Sequence, residues 1–161
     1  MTVPRRATPD DAAEIARLRS ELILSEPLDA TWLARCRDQL ADRLHPGGDA
    51  RAWVVDAPSG GLASCALGLI HPVLPAPRYP RGLAAHIQAV ATDPAYRRRG
   101  HARAALSALL DQLEKEDGVS LYELHASDDS AALYASLGFA SDPALMRMTR
   151  LHTPAGSENP R

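Results

Sequence analysis

Three stretches of the chain repeat an apolar side chain every three or four residues. This spacing places apolar side chains on one face of a helix. It predicts helices after Thr8-Pro9, from about Asp29 and after Gly100, and at the first of them Thr8 suits the capping position and Pro9 the first helical one. The predicted apolar faces are Ala12, Ile15, Leu18 and Leu22; Leu33, Cys36, Leu40 and Leu44; and Ala102, Leu106, Leu109, Leu110 and Leu113.

Shorter apolar or alternating runs predict the strands of a sheet. Residues 50–57 and 62–70 are two such runs, and the Pro58-Ser59-Gly60-Gly61 turn between them predicts a hairpin. The run over residues 86–92 is followed by Asp93-Pro94, which is typical of a buried strand that ends in a turn. Further strands are predicted at Val3–Ala7, Val119–His125 and Leu145–Leu151, the last from the alternation of Met146 and Met148 with polar residues.

The order of these elements predicts a mixed α/β domain. A short helix that begins at Asp128 and ends before Gly138-Phe139 lies between the last two strands, and proline-rich residues 72–82 predict an irregular loop on the substrate side. The order is strand, two helices, three strands, helix, strand, helix, strand. We therefore expect one domain over residues 1–151, followed by a flexible tail over residues 152–161.

Composition narrows the class of protein. The 161 residues are 45% hydrophobic and 24% charged, as in an ordinary soluble domain, and a net charge of -2 argues against nucleic-acid binding. The stretch from Ala57 to Pro77 is uncharged, but prolines and glycines interrupt it, so no membrane span is expected. Cys36 and Cys65 lack metal-site spacing, so we expect reduced cysteines and no metal. The charged N-terminal segment is unlike a secretory signal, which predicts a cytoplasmic protein.

An arginine-rich turn joins the strand at residues 86–92 to the helix that follows. Arg97, Arg98 and Arg99 precede Gly100, which lies at the mouth of the predicted helix. Helix N-termini present unpaired backbone N–H groups and a positive dipole end, and glycine allows close approach to the backbone. The turn is therefore predicted to bind an anion such as a phosphate or pyrophosphate.

Two motifs give the chain a family resemblance. Arg97, Gly100 and Ala102 match the pattern Arg/Gln-x-x-Gly-x-Gly/Ala, and Tyr134, Gly138 and Phe139 match Tyr-x-x-x-Gly-Phe. In these motifs and in its element order the chain resembles the GNAT superfamily, the GCN5-related N-acetyltransferases. The resemblance covers roughly residues 3 to 151. It implies a central, mostly antiparallel sheet flanked by helices, with a splayed strand pair that binds acetyl-CoA.

The resemblance also implies a reaction and a cofactor site. The expected activity is direct transfer of acetyl from acetyl-CoA to a primary amine of a small molecule, in a ternary complex and without a metal. The pantetheine arm is expected along the strand that bears Val90, whose backbone N–H polarises the thioester carbonyl, and the pyrophosphate is expected on the arginine turn. The implied cofactor-binding residues are Val90, Ala91, Thr92, Arg97, Arg98, Arg99, Gly100, His101, Ala102, Ser127 and Tyr134.

The implied catalytic residues include two departures from the family pattern. Tyr134 resembles the general acid toward the CoA thiolate, although it also suits a packing role in its helix. Gln88 stands where many relatives carry the glutamate base, and Ser127 stands where many carry an asparagine. Gln88 cannot accept a proton but can hold a water. The remaining candidate bases are His86, on the same strand face as Gln88, and His125.

Several alternatives remain open from the sequence. His101 suits a phosphate contact better than a base, and His45, His71 and His152 are given no role. A non-catalytic acyl-CoA-binding module is the main alternative function, and acetylation of a protein N-terminus or lysine is a third. The acceptor, whose specificity would come from the helices between Leu22 and Leu44 and from residues 73–81, is not identified. Relatives are often dimers, but nothing in the sequence identifies an interface.

Overall fold

The centre of the molecule is a five-stranded sheet. The computed structural model describes residues 3–151. The strands lie in the order β1-β2-β3-β4-β5, which is also their order in the chain. Neighbours from β1 to β4 are antiparallel, whereas β5 runs parallel to β4. The strands are β1 (Arg5–Arg6), β2 (Ala50–Asp56), β3 (Leu62–Pro72), β4 (Leu83–Thr92) and β5 (Leu121–Leu124).

Helices cover both faces of the sheet and create two hydrophobic cores. They are α1 (Ala12–Leu22), α2 (Ala30–Leu44), α3 (His101–Lys115) and α4 (Ala131–Ser136). One core joins α1 and α2 to the sheet around Ile15, Leu18 and Leu40. The other joins α3 and α4 to the opposite face around Leu106 and Leu109. The predicted class, a mixed α/β fold with a mostly antiparallel sheet, is confirmed.

Two helices begin where the sequence predicts, and a third begins later. The Asp29 carboxylate accepts a hydrogen bond from the Trp32 N–H at 2.9 Å, so α2 begins with a side-chain cap, as its sequence suggests. The first predicted helix begins with Thr8 as its cap and Pro9 as its first residue, as predicted, but its first turn is a short 3₁₀ segment, Pro9–Asp11, before α1. The helix predicted from Asp128 starts later, at Ala131, because residues 128–130 form a turn.

β4 carries a bulge at Gln88. Leu67 of β3 lies opposite Ala89 and the next residue, Gly68, lies opposite Ile87, which leaves Gln88 without a residue across from it. Side chains along a strand alternate between faces, so one extra residue reverses the alternation. Ile87 accordingly packs in the α3 core, whereas Ala89, two residues later, packs in the α1 core.

The strand predicted over Leu145–Leu151 is wrong. This stretch has no regular secondary structure. Met146 and Leu151 are 93% and 89% exposed, so these apolar side chains are not packed against the sheet. An alternating pattern supplies a face to bury, but a strand also needs a neighbouring backbone with which to exchange hydrogen bonds. The predicted strand Val119–His125 is shorter than expected for a related reason, since only Leu121–Leu124 pair with β4.

Other predictions concern the ends of the chain and its cysteines. The tail predicted over residues 152–161 lies outside the described residues. Cys65 is buried and Cys36 is partly buried, and neither forms a disulfide. Within residues 3–151, none of the helices combines the length and the apolar character that a membrane-spanning segment needs.

Candidate active site

An open cavity of about 350 Å³ lies at the N-terminus of α3. Six of the predicted cofactor-binding residues line it: Thr92, Arg97, Arg98, Gly100, His101 and Ala102. Tyr96, Arg103 and Leu133 complete the lining. The cavity therefore places two guanidinium-bearing residues of the turn, Arg97 and Arg98, beside the positive end of a 15-residue helix, an arrangement that favours an anion.

The backbone of the turn adopts an uncommon conformation at two positions. Gly100 has φ 79° and Arg98 has φ 63°, both in the left-handed region. A Cβ added to Gly100 would meet nothing within 4 Å, so glycine is favoured there by its backbone angle and not by lack of space. Arg98 is not a glycine, and its conformation costs on the order of 1–3 kcal/mol.

His101, the first residue of α3, has an unpartnered buried atom. The residue is 6% exposed. Its Nδ1 is the one buried side-chain nitrogen or oxygen of the described residues that has no hydrogen-bond partner. Leaving such an atom unpaired costs about 1–3 kcal/mol. His101 lines the cavity, so a rotation of its buried ring would let an oxyanion bound there supply the partner.

The arginines around the turn have different surroundings. Nε of Arg97 donates to the carbonyl of Thr92 at 3.3 Å, which ties the turn to the end of β4. The Arg99 guanidinium lies 5.6 Å from the ring centroid of Tyr96, and Arg99 does not line the cavity. The three consecutive arginines are therefore not equivalent.

The neighbouring strands β4 and β5 part before the cavity. Their pairing ends at Ile87 and Leu124, whereas β4 continues to Thr92. In the part of the chain that the structure describes, no strand pairs with this edge of β4 beyond Ile87. An extended ligand can add to such an edge as an extra strand. Thr92 ends this edge and also lines the cavity, so the two features are continuous.

The predicted cofactor residues on β4 differ in their side-chain surroundings. Val90 is partly buried and packs against the α3 core. Ala91 is 6% exposed and belongs to the α1 core, while its carbonyl accepts a hydrogen bond from Ser64 Oγ at 2.9 Å. Burial of the Ala91 methyl group leaves only its backbone for a ligand.

Tyr134 and Ser127 lie near the start of α4. Tyr134 is 8% exposed, and its ring lies 6.0 Å from that of Phe139 in an edge-to-face arrangement. Burial raises the pKa of Tyr134, so the phenol stays protonated at neutral pH. Ser127 is exposed and shares a 2.7 Å hydrogen bond with Ser130 Oγ. The structure thus places Ser127 in the turn that leads into α4, and neither residue lines the cavity.

A chain of polar side chains lies at the point where β4 and β5 part. The side-chain amide of Gln88 contacts Nδ1 of His86 at 2.5 Å. The ring of His86 lies 5.3 Å from that of His125, and Nη2 of Arg147 lies 2.6 Å from Nε2 of His125. Arginine can only donate, so Nε2 of His125 accepts and its proton resides on Nδ1.

The surroundings of His86 favour its neutral form. Partial burial lowers the pKa of His86 below its usual value, and the nearby His125, His71 and Arg147 lower it further. Glu123 acts in the opposite direction. His86 is therefore unprotonated at neutral pH, as a general base must be.

Sequence reasoning missed four residues of this region. Tyr96, Arg103 and Leu133 line the cavity, and Arg147 contacts His125. The position of Arg103 could have been predicted from the sequence, because Arg103 lies in the first turn of the helix that follows the arginine-rich turn. The sequence gives no indication that Arg147 contacts His125, since this contact depends on how the last segment folds back toward β5.

Metal ligands are not grouped in the described part of the chain. Across residues 3–151, no three side chains of His, Cys, Asp or Glu are arranged as metal ligands would be.

Comparison with known proteins links this geometry to a family. Residues 16–139 match the sequence profile of the Acetyltransferase (GNAT) family. The [ribosomal protein bS18]-alanine N-acetyltransferase of Escherichia coli strain K12 is 43% identical over 72 residues, which are 44% of this chain and 47% of that protein. The chain thus spans about half the length of the curated relatives it matches.

Solved structures share the fold at lower identity. A GCN5-related N-acetyltransferase from Ralstonia eutropha JMP134 superposes with a TM-score of 0.75 at 24% identity, covering 92% of this chain and 99% of that one. A predicted acetyltransferase from Clostridium acetobutylicum, solved with acetyl-CoA, gives a TM-score of 0.78 at 18% identity, covering 92% and 96%. At these identities the likeness establishes the fold alone.

Proposed function

The chain belongs to the GNAT family of acetyltransferases, and from this premise we propose that it transfers acetyl from acetyl-CoA to a primary amine of a small molecule. One observation carries the proposal. The unpaired edge of β4 runs without interruption into the cavity at the mouth of α3, and Thr92 belongs to both. An extended arm that ends in phosphates fits this combination of a free strand edge and an anion-binding turn.

The residues around the cavity have the properties that CoA binding requires. Backbone N–H groups of the first turn of α3, with Arg97 and Arg98, hold the pyrophosphate, and Nδ1 of His101 gains a partner there. The backbone of Val90 and Thr92 holds the pantetheine arm. When bound, acetyl-CoA supplies an activated acetyl thioester. Holding amine and thioester together contributes up to about 7–11 kcal/mol of barrier reduction.

Proton transfer is assigned to Tyr134 and His86. Tyr134, kept protonated by burial, donates a proton to the departing thiolate. His86 removes the proton from the amine, which requires a lone pair on Nε2. The structure places the amide nitrogen of Gln88 against Nδ1 of His86, an orientation in which Nδ1 accepts and the ring proton lies on Nε2. A lone pair on Nε2 therefore requires the amide of Gln88 to turn over, so that its oxygen accepts from Nδ1–H of His86.

A second candidate acceptor is the N-terminal amine of a protein. It is favoured by the match to the Escherichia coli enzyme, whose name describes acetylation of an alanine on a ribosomal protein. The match covers less than half of either chain, so it supports the reaction class more strongly than the acceptor. A peptide that begins with alanine is therefore included among the acceptors to be compared.

The test measures cofactor binding first and turnover second. Acetyl-CoA at a hundred times its dissociation constant should raise the free energy of unfolding by about 2.7 kcal/mol. The same stability measurement is made with CoA lacking its 3′-phosphate, as a comparison ligand. Thiol release on addition of small amines or of the peptide then identifies the acceptor. Absence of a stability shift at millimolar acetyl-CoA would refute the cofactor site, and stabilisation without amine-dependent thiol release would favour a non-catalytic binding module.

A further inference from the structure

Arg147 ends the chain of polar side chains that starts at Gln88. It lies in the exposed segment after α4 and reaches back to His125 at 2.6 Å. His125 in turn lies against His86, the residue assigned to deprotonate the amine. Arg147 is therefore a cationic side chain that His125 connects to the proposed base, His86.

Most of the hydrogen-bonding capacity of Arg147 is unused. A guanidinium has five N–H donors, and the one contact to His125 leaves the others available. Within residues 3–151, Arg147 forms no salt bridge, whereas Arg5, Arg17 and Arg51 are each bound to carboxylates. A guanidinium with a free fork matches a carboxylate in charge and in shape.

We propose that Arg147 binds a carboxylate of the acceptor, so that the substrate is a small amine that carries a carboxylate near the reacting nitrogen. The inference rests on the proposed function, because it takes the gap between β4 and β5 as the place of the amine. His125 positions the guanidinium beside the point where β4 and β5 part. The carboxylate neutralises Arg147, which otherwise disfavours positive charge on His86.

A carboxylate site at Arg147 distinguishes between the two candidate acceptors, which are a small amine and the N-terminal amine of a protein. A free amino acid carries a carboxylate at the position where a peptide carries an amide. An amide oxygen accepts hydrogen bonds but has no net charge, so it gains less from a guanidinium. Recognition by Arg147 thus favours a free amino acid over the N-terminus of a peptide.

Matched pairs of acceptors test the proposal. We would measure kcat/KM by thiol release for glycine and glycinamide, β-alanine and its amide, and an alanyl peptide. We expect the acids to exceed their amides by about tenfold or more, as a charge-assisted hydrogen bond allows. Amidation also changes the basicity of the amine, so the ratio in the wild type is compared with the ratio in Arg147→Gln.

Two further variants identify the origin of the preference. Arg147→Gln should abolish the acid-to-amide preference and leave acetyl-CoA affinity unchanged, and Arg147→Lys should restore part of it. Arg150→Gln is the matched control, because Arg150 contacts Met148 and not the histidines. A preference for amides, equal use of both acceptors, or a preference that survives in Arg147→Gln would overturn the proposal.

A binding measurement keeps the test independent of turnover. Addition of β-alanine to the protein without acetyl-CoA should shift the NMR signals of the His125 ring in the wild type but not in Arg147→Gln. His125→Gln assigns those signals. An unresponsive His125 ring in the wild type refutes the carboxylate site. Failure of the proposed function is distinguishable, because the ring response would persist while acetyl-CoA gave no stabilisation.

Discussion

The imidazole rings of His86 and His125 lie 5.3 Å apart in an edge-to-face arrangement. His86 belongs to β4, and His125 directly follows β5, which runs parallel to β4. The rings meet because His86 pairs with Glu123 in the sheet, so the next residues of β5 lie beside it. Two candidate bases that are distant in sequence therefore form one pair at the point where the strands part.

Activity should decline on the acid side with a midpoint below the usual histidine pKa of about 6.5. Burial, followed by the positive charges nearby, lowers the pKa of His86, so the base remains neutral to a lower pH than a free histidine. The pH profile of kcat/KM checks this. His86→Gln should remove this acid limb together with most of the activity, and an unchanged limb would assign the base elsewhere.

The same pKa shift predicts a pH dependence of stability. A histidine whose pKa is lowered by folding binds protons more readily in the unfolded chain. The contribution of His86 to the free energy of unfolding is therefore fully present above about pH 6.5. It is lost as the pH falls toward the lowered pKa that His86 has in the folded protein. Urea unfolding of the wild type and of His86→Gln between pH 5 and pH 8 measures it. The difference in unfolding free energy between the two proteins should change with pH in that direction, and a constant difference would contradict the shift.

Tyr134→Phe should reduce turnover by about a hundredfold or more, as expected for loss of a general acid. Acetyl-CoA affinity and stability should change little, because the ring that packs near Phe139 is kept. Tyr122→Phe is the matched control. Its hydroxyl donates to the carbonyl of Val119 at 2.6 Å and burial raises its pKa to about 12, but it lies outside the candidate site. Equal turnover in the two variants would leave Tyr134 with a packing role only.

Gly100→Val should weaken acetyl-CoA binding by about fivefold to thirtyfold if the free turn relaxes, since restoring the left-handed conformation on binding costs a residue with a Cβ roughly 1–2 kcal/mol. Gly60→Val is the control, because Gly60 also has a positive φ, 97°, and open space, but lies in the turn between β2 and β3. Both variants introduce a Cβ at a positive φ. Titration of acetyl-CoA against melting temperature distinguishes them, and equal affinities would show that the conformation of the turn does not matter for binding.

His101→Leu should weaken acetyl-CoA binding about tenfold or more, as for loss of a hydrogen bond to a charged group. Stability without ligand should stay the same or increase, because the substitution removes a buried nitrogen that lacks a partner. The exposed His45, which follows α2, supplies the control variant His45→Leu. Calorimetric titration measures the affinities. A His101→Leu variant that binds acetyl-CoA normally would exclude a phosphate contact for this imidazole.

The candidate site was predictable where its residues are adjacent in sequence. Arg97, Arg98, Gly100, His101 and Ala102 were expected at a helix mouth, and they line one cavity there. Their common location follows from local rules of strand, turn and helix. Arg99 was expected with them but lies over Tyr96, because the direction of each side chain depends on the φ and ψ of this turn.

Residues distant in sequence were less predictable. The cofactor contact of Ser127 stays a prediction, and its hydroxyl is hydrogen-bonded to Ser130 in the turn before α4. Leu145–Leu151 was expected to be a strand, yet it has no strand partner. The missing strand depends on which distant backbone groups are available for hydrogen bonds, and a local pattern does not contain that information.

The sequence by itself determined the family, the α/β class, four helices and the arginine-rich turn at the start of α3, because motifs and hydrophobic periodicity are properties of neighbouring residues. Only the tertiary structure decided that the bulge at Gln88 reverses the faces of β4, that β4 and β5 part after Ile87, and that His86, His125 and Arg147 form one contact chain. The physical reason is that strand register and side-chain contacts join residues far apart in the chain. Their free energy depends on the whole packed sheet.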